Sequence, residues 1–119
     1  MVLLERKKWT EAEPLLRECL AIRAKTQPDV WLTFNTQSML GGALLGQKKH
    51  ADAEPLLLAG YEGMKQREKT IPPQGGMRIP QAIERLVQLY EATGNADEAA
   101  KWRKELETIQ AAQKKSEKQ

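Results

Sequence analysis

Lys7-Lys8-Trp9-Thr10-Glu11-Ala12-Glu13-Pro14-Leu15-Leu16 recurs as Lys48-Lys49-His50-Ala51-Asp52-Ala53-Glu54-Pro55-Leu56-Leu57. The offset from Ala12 to Ala53 is 41 residues, and self-similarity at a period of roughly 20 to 50 residues is the mark of stacked-repeat architectures. A third, weaker copy, Gly94-Asn95-Ala96-Asp97-Glu98-Ala99-Ala100, puts Ala99 in the slot of Ala12 and Ala53, a further 46 residues on. The longer second spacing is absorbed by Thr70-Ile71-Pro72-Pro73-Gln74-Gly75-Gly76-Met77-Arg78-Ile79-Pro80. Paired prolines and glycines cannot continue a helix and mark a long loop there.

Between these landmarks the apolar residues follow the helical period. Trp31, Phe34, Leu40, Ala43 and Leu44 form one stripe, and Ala53, Leu56, Leu57, Gly60, Tyr61 and Met64 the next. Ile83, Leu86, Val87, Leu89 and Tyr90 form a third, and Ala99, Trp102, Leu106 and Ile109 a fourth. This spacing lines one helix face and would scramble the two faces of a strand. The pattern predicts helices near residues 9–25, 29–46, 50–69, 80–93 and 96–114, and no strand. The turns Gly46-Gln47-Lys48-Lys49 and Thr93-Gly94-Asn95 are short enough to force antiparallel hairpins. Pro28-Asp29 suits a helix start, and Gly94 the left-handed position that closes one.

Composition agrees. Of 119 residues, 40% are hydrophobic and 29% charged, ordinary globular proportions for one small domain. The net charge of +3 arises mainly in the tail from Lys101 to Lys118, where basic residues alternate with glutamates and glutamines. That is a solvated helix face. A nucleic-acid footprint needs basic residues clustered on one surface, preferably with aromatics to stack bases, so nucleic acid is not an expected partner. Cys19 is the single cysteine, which excludes an internal disulfide. With no signal peptide and no apolar run near the roughly 18 residues a membrane span needs, a soluble cytoplasmic protein is expected.

No motif carries reaction chemistry. Gly41-Gly42-Ala43-Leu44-Leu45-Gly46-Gln47-Lys48 echoes a phosphate-binding loop, but Gln47 stands where the lysine belongs and Lys48 where a Ser or Thr would bind magnesium. It reads as a helix end. His50 takes the slot of Trp9, so packing at a helix start is favoured over metal ligation, for which Asp52 and Glu54 alone are a thin ligand set. Cys19 shares the apolar stripe of Leu15, Leu16 and Leu20 and reads as a buried, inert thiol. The glutamates read as surface partners of basic residues one turn away, such as Glu13 with Arg17. A non-catalytic chain without cofactor or metal is expected.

Leu40-Gly41-x-x-Leu44 followed by Ala53-x-x-x-Leu57, and Leu86-Val87-x-x-Tyr90 followed by Ala99, resemble tetratricopeptide repeats. The period, with Gln27-Pro28-Asp29-Val30 and Ala53-Glu54-Pro55-Leu56, resembles the kinesin light chain type. The sequence is also similar to repeat tails that follow serine/threonine kinase domains in some bacteria, planctomycetes especially; the kinase motifs themselves are not in this chain. The resemblance implies an all-α, short right-handed solenoid of about two and a half repeats: a partial repeat over 1–26 and repeats over 27–70 and 79–114. Residues 115–119 would form a disordered tail beyond this 1–114 domain. It further implies a scaffold that binds a protein or peptide in a concave groove lined by Asn35, Ser38, Gly42, Leu45, Gln81, Glu84, Gln88 and Glu91. Where repeats of the kinesin light chain type carry paired asparagines, this chain has Ser38-Met39 and Glu84-Arg85. The alternative is a structural or regulatory spacer within a larger signalling enzyme.

Two expectations concern the ends. Ala99, Trp102, Leu106 and Ile109 should cap the array, leaving Lys101, Lys104, Glu105 and Glu107 in water. Shifting by 41 places Leu3 on Leu44 and Leu4 on Leu45, so the chain is expected to begin inside a repeat. Trp9, Leu16, Cys19 and Leu20 would then lack a covering helix, and a symmetric homodimer through that face is expected.

Overall fold

The computed structural model describes residues 9–72 and 75–117. Among them are the helices α1 (Trp9–Thr26), α2 (Trp31–Gly46), α3 (His50–Gln66), α4 (Arg78–Ala92) and α5 (Ala96–Glu117), with a 3-10 turn at Glu68–Thr70 and no strand. Sequential helices pack on one another, and α2 also touches α4. The result is an all-α stack of antiparallel hairpins in which α2 lies against α1, α3 and α4. No described helix is long and apolar enough to cross a membrane.

The repeat slot explains the stacking. Ala12, Ala53 and Ala99 are 0%, 0% and 1% exposed, so at each copy a methyl is all that fits between neighbouring helices. The α2–α3 pair goes further. A β-carbon on Gly60 would stand 2.8 Å from the Phe34 carbonyl oxygen and the Ser38 nitrogen, so the two backbones touch there and only glycine is accommodated. Being covered on several sides, α2 carries no charged residue, and Thr33 through Ser38 includes four buried polar or hydroxyl residues. In α4 one face is buried (Ile79, Ile83, Leu86, Tyr90) while Glu84, Gln88 and Glu91 face water.

The turns obey local chemistry. Gly94 has φ 77°, the left-handed position that ends α4. In the α2–α3 turn the corresponding conformation falls on Lys48, at φ 65°, while Gly46 stays helical beneath the Trp9 indole. The sequence Gly41 to Gly46 is thus helix interior. Helix α2 begins at Trp31, two residues later than its proline suggested, because Pro28 and Asp29 lie in a preceding turn. There the Thr33 hydroxyl donates to the Gln27 carbonyl at 2.6 Å and the Arg67 Nε to the Asp29 carbonyl at 2.8 Å. Helix α3 stops at Gln66 rather than near 69, giving way to the 3-10 turn. Helix α4 starts at Arg78, and Pro80 sits in its first turn, where the missing N–H would have had no helical partner.

At the far end, Trp102 is 8% exposed and meets Tyr61 edge-on, ring centroids 4.9 Å apart at 79°. Ala99 is buried, Leu106 and Ile109 pack against the core, and Lys101, Lys104 and Glu107 are exposed, while Glu105, expected in water, is half-buried. Helix α5 therefore packs one face on α4 and reaches Tyr61 of α3. It runs through Glu117, so residues 115–117 of the expected tail are helical, while 118–119 lie outside the described residues. Leu3 and Leu4 also lie outside them.

Candidate functional site

Helices α2 and α4, the first members of successive hairpins, run side by side and leave a cleft of about 570 Å³ between them. Gly42, Leu45 and Gly46 of α2 form one wall and Arg85, Gln88 and Ala92 of α4 the other. Trp9, Lys48 and His50 close one end. Among the described lining residues there are two formal cations, Lys48 and Arg85, and no carboxylate.

Of the eight residues expected to line a groove, Gly42, Leu45 and Gln88 do so. Asn35 and Ser38 are 6% and 0% exposed, turned into the packing rather than toward a ligand. The Ser38 hydroxyl accepts from Arg85 Nη1 at 2.9 Å. Gln81 is half-buried and accepts from Arg78 Nη1 at 3.1 Å through its side-chain oxygen. Glu84 is exposed, and Glu91 is paired with Arg103. The expected line of residues thus divides into a buried portion, a cleft portion and an outer portion.

Arg85 is the residue that sequence reasoning passed over. Its side chain crosses α2 where Gly42 has no side chain: a β-carbon on Gly42 would stand 3.0 Å from Arg85 Nε. Burial, and then the like charge of Arg78, lowers its pKa from 12.5 to about 10. The one available signal was its place in the second slot of a position pair, Glu84-Arg85.

The other titrating groups hold the stack together. Glu13 Oε2 accepts from Arg17 Nε at 2.8 Å, and its Oε1 accepts from Gln47 Nε2 at 2.8 Å and from Lys49 Nζ at 3.4 Å. The Arg17 and Gln47 bonds are the main reason its pKa falls to about 2. Tyr90 donates its hydroxyl to Glu54 Oε2 at 2.8 Å, and burial followed by that bond raises the phenol to about 12. Among the described residues no cluster of three or more His, Cys, Asp and Glu could hold a metal ion.

The face proposed for self-association is arranged differently from expectation. Leu16 is 2% exposed and already inside the core, so it is not available to a second copy. Trp9, Cys19 and Leu20 are half-buried, the Trp9 ring against Gly46 and Leu20 against the core. The Cys19 sulfur accepts from Arg23 Nε at 3.3 Å, and the thiol is partly exposed rather than buried. The apolar side chains of α1 that do face water are Leu15 and Ile22, each 57% exposed. Their helical positions, seven apart, place them on one face.

The tetratricopeptide repeat family model matches residues 1–26, the segment that contains the first copy of the internal repeat. No curated protein matches the chain, and no solved structure does.

Proposed function

We propose that this chain is a non-catalytic protein-interaction module that holds a segment of a partner protein in the cleft between α2 and α4. The observation that carries this reading is the cleft itself, formed by the first helices of two hairpins and large enough, at about 570 Å³, for a few side chains. Its walls combine apolar surface from Leu45, Ala92 and Trp9 with the donors of Gln88, Lys48 and Arg85, the mixture that orients an extended peptide. Tetratricopeptide repeats as a class act by binding proteins or peptides, and the match over residues 1–26 supports the reading. A repeat of the kinesin light chain type, in the repeat tail of a bacterial kinase, is the finer form of this proposal.

The test is affinity capture from a lysate of the source organism with the wild-type chain and a Leu45→Arg variant, which fills the cleft wall with a cation. A partner retained by the wild type and lost by the variant is the expected result. Capture no better than bare resin, or capture indifferent to Leu45, would favour a structural spacer instead.

A further inference from the structure

On α1, Leu15 and Ile22 stand in water at 57% exposure each, on one helix face. The second copy of the repeat shows why a helix seated as α2 sits on α3 does not fit over them. The counterparts of Cys19 and Ile22, 41 residues on, are Gly60 and Gly63, and at these two glycines α2 comes down on α3. A β-carbon would stand 2.8 Å from the Phe34 carbonyl oxygen at Gly60 and would collide with the Phe34 ring at Gly63. On α1 the same two positions carry a thiol and a branched hydrocarbon, so backbone contact is barred there. Whatever covers this face must interdigitate with its side chains, at the ordinary spacing between helix axes of about 8 to 10 Å.

The charges along the face fit one occupant. Glu11, Glu18 and Lys25 run down the same edge as Leu15 and Ile22, at alternating steps of four and three residues. All three are exposed, and none forms a salt bridge among the described residues. The first turn of α1 is acidic and its last turn basic. The pairs Leu15/Ile22 and Glu11/Lys25 share a midpoint at Glu18, to within half a residue. A second α1 laid antiparallel in the register that sets Leu15 against Ile22 therefore also sets each Glu11 against a Lys25. We propose that this face is closed by a second copy of the chain, α1 against α1, antiparallel about a two-fold axis at Glu18. The contact buries Leu15 and Ile22 of both copies, forms two unlike-charge pairs and opposes the two helix dipoles. The one like-charge contact is Glu18 with its own copy at the axis. None of these residues lines the cleft between α2 and α4, so the interface is separate from it.

Sedimentation velocity of the 119-residue chain over a dilution series should show a monomer–dimer equilibrium. Glu11→Lys and Lys25→Glu each turn both unlike pairs into like ones. Each should weaken the dimer about tenfold, the effect of reversing two exposed charge contacts. The double variant Glu11→Lys with Lys25→Glu should regain the wild-type affinity. Mixing the two single variants should give a heterodimer tighter than either variant with itself, because both pairs are then unlike again. Glu18→Gln should tighten the dimer by removing the repulsion at the axis. Every substituted position is exposed, and circular dichroism checks that each variant keeps its helices. A wild type that stays monomeric at the highest concentration would overturn the proposal and leave the face to a different protein. A dimer indifferent to the single charge reversals, or single variants that do not pair when mixed, would overturn the antiparallel α1 contact.

Discussion

The α1–α2 seam and the α3–α4 seam place a glutamate at the same repeat position, Glu13 and Glu54, and hold it by unlike chemistry. Glu13 gathers Arg17, Lys49 and the Gln47 amide in a partly solvated network. Glu54 accepts one bond from the phenol of Tyr90, whose ring is 6% exposed. The flanks differ as well. Helix α3 is packed by α2 on one side and α4 on the other, and Gly63, the counterpart of Ile22, is buried against Phe34. On α1, Ile22 is in water. A repeat therefore reproduces an acceptor and a backbone position, while each seam finds its own donor and its own degree of closure.

The largest expected effect tests the closed end. Trp102→Ala removes the ring that meets Tyr61 and should cost about 3 to 5 kcal/mol, read from the urea midpoint. A midpoint within error of wild type would show that α5 does not secure the second seam.

The two glutamate clasps should then separate. Tyr90→Phe deletes the hydroxyl that reaches Glu54 and should cost about 1 to 2 kcal/mol. Gln47→Ala removes one donor from a carboxylate that Arg17 and Lys49 still hold, and should cost roughly half as much. Equal losses would erase the distinction between a glutamate held by one phenol and a glutamate held by several donors.

A pH dependence sharpens the same contrast. The folded-state pKa of Glu13 lies below its ordinary value, so the carboxylate's stabilisation is present above about pH 4.5 and is lost as the pH falls toward about 2. Because the network is partly exposed, wild type should exceed Glu13→Gln by at most about 1 kcal/mol at pH 7. Denaturation at pH 7 and pH 2.5 should show that gap closing. A gap that ignores pH would mean that the charge of Glu13 is not what the seam uses.

The smallest effect on stability concerns the exposed side of α1. Leu15→Gln with Ile22→Gln should move the midpoint by no more than about 0.5 kcal/mol, as substitutions in water do. If this face, in place of the expected one of Trp9, Leu16, Cys19 and Leu20, mediates a homodimer, the wild type will scatter light in a concentration-dependent way and the double variant will not. Identical scattering curves across a dilution series would remove self-association through this face.

Much of the architecture was legible in one dimension because it depends on local rules. The recurrence of Ala-Glu-Pro-Leu-Leu, the apolar period and the turn glycine at Gly94 speak to helices and hairpins directly, and the described helices begin and end within a few residues of where they point. The boundaries that moved did so where a neighbour intervened: Arg67 reaches back to Asp29 and holds the turn before α2. The groove was less legible. Asn35, Ser38 and Gly42 lie on the helix that should line it, yet Ser38 and Gly42 are covered by one long side chain from the next repeat.

What the sequence by itself determined is the repeat, its helical class and the slots at Ala12, Ala53 and Ala99 that must stay small, since period, propensity and turn chemistry act over a few neighbouring residues. Tertiary structure decided which side of each helix is free. Arg85 and Ser38 are 47 residues apart in the chain and meet only when α2 and α4 stack, and Leu16 is buried while Leu15 beside it is not. Burial and the charge around a side chain are set by the rotation of one helix against another, which no local stretch of sequence records.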